Sequence, residues 1–161
     1  MAKKLWLMKS EPDVYSIDEL AKKKRGTWEG VRNYQARNFM REMAEGDLFL
    51  FHHSNAKPSG IVGIGSIVRT AYVDPFQFDP KSPYYDPKSP KTDPRWSAVD
   101  VGFVERFAGV VSLETMKADP ALEGMRILAR GSRLSVTPVE SIHFARVIEL
   151  AKGKTRVSES G

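Results

Sequence analysis

Trp28-Glu29-Gly30-Val31-Arg32-Asn33-Tyr34-Gln35-Ala36-Arg37-Asn38 sets an indole, a phenol, two guanidiniums and three amides beside a glycine turn. A segment that only fills a core does not gather so many ring faces and polar edges. Flat rings stack on planar ligands and amides read donor and acceptor edges, which is the residue vocabulary of base recognition. It is not the vocabulary of a metal site or a nucleophile.

Working outward from this stretch gives the order of elements. Upstream, Ser16-Ile17-Asp18-Glu19 is a capping box that predicts a helix over 17–24, ended by Gly26. Before it, Leu5-Trp6-Leu7-Met8 reads as a buried first strand. Downstream, a second helix is predicted over 34–43, stopped by Gly46. Asp47-Leu48-Phe49-Leu50-Phe51-His52 reads as a strand, and another follows the turn at Pro58-Ser59-Gly60, over 61–69. Gly63 and Gly65 inside it predict a bulge or close approach by another backbone.

Further on, 97–107 alternates as a strand with Val99, Val101 and Phe103 on one face. Ser112 caps a short helix that ends before Asp119-Pro120, and 124–136 is expected to supply one or two more strands. Thr137-Pro138-Val139-Glu140 unites a cap, a first-turn proline and a box glutamate, predicting a helix to about 150 along Val139, Ile142, Ala145 and Ile148. A disordered tail is expected over 152–161 after a single domain over 1–151. The order predicts an α+β domain around a mostly antiparallel sheet or small barrel.

Residues 74–94 hold six of the ten prolines. They contain a seven-residue echo, Phe78-Asp79-Pro80-Lys81-Ser82-Pro83 and then Tyr85-Asp86-Pro87-Lys88-Ser89-Pro90. This composition suits neither a helix nor a sheet interior. A long ordered loop is predicted, with Tyr84, Tyr85 or both reaching the binding site, because so many aromatics do not belong in a solvated linker.

At 161 residues and 41% apolar, the chain can bury a core without staples. It has no cysteine, which excludes disulfides, thiolate metal sites and cysteine nucleophiles. The start lacks the apolar run of a signal peptide, and no window reaches the ~18 apolar residues of a membrane span. A soluble, cytoplasmic monomer is the expectation. The net charge of +5 lies entirely in residues 1–41, where ten Lys/Arg face five Asp/Glu; the rest has fifteen of each. A basic quarter that also carries the ring and amide cluster favours a polyanion partner. Lys22-Lys23-Lys24-Arg25 alone fits a solvated helix end equally well.

Candidate chemistry sits at strand ends. Lys9, Ser10 and Glu11 follow the first strand and are halted by Pro12, offering a cation, a hydroxyl and a carboxylate at one exit. His52 and His53 are adjacent, so on a strand they point to opposite faces and cannot easily share a metal ion. A catalytic pairing of Ser54 or Ser10 with a histidine lacks a nucleophile-elbow pattern. Arg130-Gly131-Ser132-Arg133-Leu134-Ser135-Val136 suits phosphate contact or the polar face of an edge strand. Asp100, between Val99 and Val101, is expected to be buried and paired with a cation or backbone donor. Gly60-Ile61-Val62-Gly63-Ile64-Gly65 lacks dinucleotide-fingerprint spacing. Neither a cofactor nor a metal ion is indicated, and no catalytic residue is assigned.

Taken together these segments resemble the EVE domain, a branch of the PUA-like superfamily that also holds the YTH and ASCH domains. The matching runs are Trp6-Leu7-Met8-Lys9-Ser10-Glu11-Pro12, the 28–38 stretch, Gly46-Asp47, His53-Ser54-Asn55, Gly60-Ile61-Val62-Gly63, Tyr84-Tyr85-Asp86-Pro87, Trp96-Ser97-Ala98-Val99-Asp100-Val101 and Arg133-Leu134-Ser135-Val136. The resemblance implies a pseudo-barrel of mixed, mostly antiparallel strands with helices packed outside, and a pocket near the end of the first strand. YTH pockets of this kind hold a methylated base in an aromatic cage. By resemblance, Trp28 occupies a cage position and Lys9-Ser10 lines the same pocket.

The reading that follows is a non-enzymatic module for a modified nucleobase in DNA or RNA. Trp28 stacks on the base and Tyr34 or Tyr85 closes the other side. Asn33, Ser10 and the backbone near Val31 and Asn55 read its edge, with Glu11, His53, Ser54, Tyr84, Asp100 and Ser135 nearby. Lys9, Arg32, Arg37 and Arg133 face phosphate. Two alternatives stand beside it. One is a hydrolase of a modified nucleoside using Lys9 and Glu11, as some ASCH-type relatives suggest. The other is a sensor of a small heterocyclic or anionic metabolite.

Overall fold

The computed structural model describes residues 4–157. Its frame is one mixed sheet of six strands, β1 (Leu5–Ser10), β2 (Arg25–Trp28), β3 (Leu48–His53), β4 (Gly60–Val73), β5 (Ser97–Ser112) and β6 (Val136–Pro138), in the order β2-β5-β4-β3-β1-β6. β1 and β3 are parallel and the other pairings antiparallel. β1 lies inside the sheet between β3 and β6 and is covered on both faces: Trp6 and Met8 enter one core, Leu7 the other.

The first core shows that the sheet wraps on itself. Trp28 on one edge strand and Val136 on the opposite edge strand belong to the same buried cluster, with Phe49, Phe51, Val99 and Met40 between them. Helix α2 (Tyr34–Glu42) packs against both β5 and β6 across that opening. This is the mixed pseudo-barrel expected from the sequence. The curl comes from the long β4–β5 pair, whose register shifts four times. Gly63 and Gly65 lie at two of these shifts, and a Cβ at either would strike the Glu105 carbonyl or the Phe49 ring. The second core lies outside the sheet under α3 (Leu113–Ala118) and α4 (Ser141–Ala151), where Leu7, Leu50, Ile64, Phe144 and Val147 meet.

Helix α1 (Ile17–Lys23) starts at Ser16, whose hydroxyl accepts from Glu19 N, and α2 starts at Asn33, whose amide oxygen accepts from Ala36 N. Buried Asp47 ties β1 to the end of α2: its carboxylate accepts from Trp6 Nε1 at 3.0 Å and from Ala44 N at 2.9 Å.

Several expectations are corrected. Gly26 is not a helix stop: Lys24 ends α1 with a left-handed φ of 69°, and Gly26 lies within β2, where a Cβ would collide with the Tyr15 hydroxyl. Residues 124–135 form no strand. Gly124 and Gly131 take positive φ (90° and 76°), and short i→i+3 turns run from Leu122 to Ser132. Thr137 and Pro138 pair with Leu7 and Trp6 in β6 instead of opening α4. Proline is tolerated there because β6 is an edge strand. Starting later, α4 turns His143, Phe144, Val147 and Ile148 inward, leaving Ile142 58% exposed. The tail is held through 157: Lys154 N and Thr155 N donate to Glu105, and Val157 packs on the outer core. Residues 158–161 of the expected disordered tail lie outside the described residues.

Candidate functional site

The proline-rich loop is built around buried side chains. Asp74 and Gln77 are both fully buried. Gln77 Nε2 donates to the carbonyls of Asp74 and Trp96, and its Oε1 accepts from Ser89 Oγ and Trp96 N. Both hydrogens of that amide and both lone pairs of its oxygen are thus used, which fixes both ends of the loop. The sequence echo is a repeated turn: Asp79 Oδ1 accepts from Lys81 N, and Asp86 Oδ1 from Lys88 N, at 2.9 and 3.0 Å. The copies then diverge. Ser82 Oγ accepts from Tyr84 N, whereas Ser89 Oγ turns inward to Gln77.

The loop is clamped to the 28–38 stretch through Asp74. Its carboxylate accepts from Gly30 N at 2.9 Å, Arg32 Nη1 at 3.0 Å and Phe76 N at 2.8 Å. Arg32 also donates from Nε and Nη2 to the Tyr84 carbonyl and from Nη1 to its neighbour's carbonyl at Val31. This holds the Tyr84 ring over Gly30, whose φ of +82° and lack of a Cβ make room for it.

An open cavity of about 840 Å³ results, between the exits of β1 and β3, the end of β2 and the clamped loop. It is lined by Lys9, Ser10, Glu11, Trp28, Val31, Arg32, Ser54, Asn55, Tyr84, Arg133 and Ser135 from the sequence-expected set. Val14, Tyr15, Thr27, Glu29 and Gly30 also line it and were missed. Glu29 and Gly30 belong to the 28–38 stretch but contribute neither a ring nor an amide side chain to it. Tyr15 carried a signal, as an aromatic just past the Pro12 exit.

The structure removes five expected residues from the cavity lining. Asn33 is spent capping α2. Tyr34 is half exposed and stacks on Trp96 at 4.8 Å. Tyr85 is 41% exposed and does not line the cavity. Asp100 is only half-buried and accepts from the Tyr72 hydroxyl at 2.6 Å, not from a cation. His53 Nε2 accepts from Ile17 N at 3.1 Å, an anchor for the start of α1. That bond also occupies the nitrogen a serine–histidine pair would need.

Roles change within the lining as well. Arg32 is a structural clamp rather than a phosphate contact. Arg37, expected to face phosphate, bonds Asn38 and the Arg95 carbonyl and lies over the Tyr34 and Trp96 rings. Lys9 and Arg133 are the lining cations whose side chains have no partner among the described residues. Trp28 sits on a strand, 5% exposed, edge-on to Tyr15, Phe49 and Phe51. It belongs to both the cavity lining and the core.

Two residues of the lining carry a buried polar atom without a hydrogen-bond partner among the described residues, Tyr15 at Oη and Glu29 at Oε2. Burial pushes the Glu29 carboxyl up from its ordinary range, and Asp74 and then Asp100 add to this. Burial, with Glu19 and Glu29 nearby, raises the Tyr15 phenol to about 12, so it stays a donor. Lys9 is lowered by burial. Among the described residues, no group of three or more His, Cys, Asp or Glu is placed to hold a metal ion, and no helix is long and apolar enough to cross a membrane.

The family profile of the EVE domain matches residues 4–150. The chain belongs to the EVE domain family. Similar proteins include chicken thymocyte nuclear protein 1, 44% identical over 92% of this chain and 69% of its own length. A Pseudomonas syringae protein superposes with a TM-score of 0.89 at 50% identity, covering 91% of this chain and 99% of its own. The human THYN1 protein, solved in complex with DNA containing 5-methylcytosine, superposes at 0.87 with 38% identity over 95% of this chain and all of its own.

Proposed function

We propose that this EVE domain is a non-enzymatic binding module for a modified nucleobase in DNA, with 5-methylcytosine as the leading ligand, and that the Lys9–Trp28–Tyr84 cavity receives the base. The likeness to the human protein solved with 5-methylcytosine DNA, over 95% of the chain, is the observation that carries this reading. The cavity supports it from the physical side. Tyr15, Trp28 and Tyr84 give ring surface, Lys9 and Arg133 give unpaired cations at the rim, and hydroxyls, amides and a carboxyl give edge-reading groups. Base–aromatic contact is worth about 1–3 kcal/mol per base and phosphate contact adds a salt-dependent component.

The test is a titration of isotope-labelled protein with a short oligonucleotide carrying one 5-methylcytosine, followed by amide chemical shifts. Shifts are expected to concentrate at Ser10, Thr27, Glu29, Gly30, Ser54 and Tyr84. Shifts confined to another surface, such as the face of α4, would place the binding site elsewhere and defeat the assignment.

A further inference from the structure

A cavity that recognises only a ring and a methyl group has a chemical problem in DNA. Thymine carries the same 5-methyl on the same pyrimidine ring and occurs throughout the genome. Stacking and methyl burial treat the two bases alike. The difference lies at C4 and N3: cytosine presents an amino donor beside an acceptor nitrogen, thymine a carbonyl acceptor beside an N–H donor. A reader of 5-methylcytosine must therefore interrogate that edge.

Glu29 is placed to do so. Glu29 lines the cavity beside Trp28, and its Oε2 is buried and accepts no hydrogen bond from any described residue. Buried acceptors left without a donor are costly and uncommon in native structures. The local fold fixes the backbone on either side of Glu29: Trp28 before it pairs with Val99, and Gly30 after it is bonded to Asp74. Tyr15, which also lines the cavity, has a buried hydroxyl without a partner among the described residues. An acceptor and a donor on two residues of one lining suit the amino group and ring nitrogen of cytosine. Set against thymine in the same pose, the carboxyl oxygen would meet O4, lone pair against lone pair.

We propose that Glu29 is the specificity-determining residue of the cavity, accepting the exocyclic amino group of the base and so selecting 5-methylcytosine over thymine. This rests on the base-binding reading above. The selection requires the carboxyl to present a lone pair to the base: the ionised form does so, whereas a protonated oxygen facing the base would offer thymine O4 a donor and narrow the discrimination.

Four single-stranded oligonucleotides of one sequence test it, differing at one position as cytosine, 5-methylcytosine, uracil or thymine. The set varies the amino and methyl groups independently. The wild-type protein is expected to bind 5-methylcytosine about tenfold or more tighter than thymine, within the range of one good edge contact. It should prefer 5-methylcytosine to cytosine by only about fourfold, the worth of one buried methyl. Glu29→Leu should bring 5-methylcytosine and thymine to within about threefold of each other, mainly by weakening the former. Glu29→Gln is the companion variant in case the leucine form fails to fold. Its amide offers a donor to O4 and is expected to narrow the same ratio by improving thymine.

A methyl preference without discrimination between 5-methylcytosine and thymine in the wild type would overturn the role of Glu29 and leave the base-binding reading standing. So would a folded Glu29 variant that keeps the wild-type ratio. Absence of binding to all four oligonucleotides, and to duplexes of the same sequence, would overturn the base-binding reading and this inference with it.

Discussion

His52 shows how a single residue can be misjudged from its type. A histidine beside a histidine at a strand end invites a functional reading, yet His52 is 1% exposed and neither ring nitrogen has a hydrogen-bond partner among the described residues. Burial, then the Lys9 and His53 charges, lowers its pKa to about 4. The folded state therefore holds His52 neutral while the unfolded chain protonates near the ordinary 6.5. Between those values the unfolded state binds more protons, so the stabilisation is present above 6.5 and is lost as pH falls toward 4. The full window is worth up to about 3 kcal/mol. His52→Leu removes two unsatisfied buried atoms and is expected to melt at or above the wild-type temperature at pH 7. Its stability should also fall less steeply on acidification. Parallel pH slopes for the two proteins would show that another group governs the acid limb.

The same scale explains which site residues were legible. Lys9, Ser10 and Glu11 could be placed because a polar run halted by proline at the end of an apolar strand has few exits. Arg32 could not, because its fate is set by Asp74, 42 positions away, through a contact that leaves no local signature. Glu29 and Tyr15 were missed for a related reason. What marks them is the lack of a partner, and that depends on everything packed around them.

Among the elements, the proline-rich loop is the part where sequence chemistry and structure agree most closely. Its prolines and Asp turns restrict the unfolded chain in advance, and its aromatics include the ring that reaches the cavity. The expected elements that do not form share one cause. Thr137-Pro138 and Gly26 carry local helix signals that sheet pairing overrides: β6 captures the first pair through Leu7 and Trp6, and β2 captures the glycine through Val101. Gln77 is the loop's main anchor. Gln77→Leu would leave Ser89 Oγ, Trp96 N and two carbonyls without their buried partner. The expected loss is about 2–4 kcal/mol, from several buried groups left unpaired. Hydrogen exchange should then speed up across 77–96 and ligand affinity should weaken as Tyr84 loses its position. Unchanged exchange in that segment would show that the Asp74–Arg32 clamp alone holds the loop.

For the whole molecule, the fold was recoverable because eight short segments recur in one order along nearly the entire chain. The placement of charge was only partly recoverable. The basic excess does lie in residues 1–41, but Arg32, Arg37 and Arg41 spend their guanidiniums on the loop and its anchors, leaving Lys9 and Arg133 as the unpaired cations of the cavity. Polyanion binding by this surface is therefore expected to be modest and to depend on few phosphates. The most direct measurement is the affinity of the wild-type protein and the Lys9→Ala/Arg133→Ala variant for one oligonucleotide with and without 5-methylcytosine, across a salt series. The wild type should favour the methylated strand by about fourfold at every salt concentration, since methyl burial is not ionic. Its log–log salt slope should exceed that of the folded double variant by roughly 1 to 2, one phosphate for each cation removed. Equal affinity for methylated and unmethylated strands, with a slope the variant leaves unchanged, would contradict base reading in this cavity.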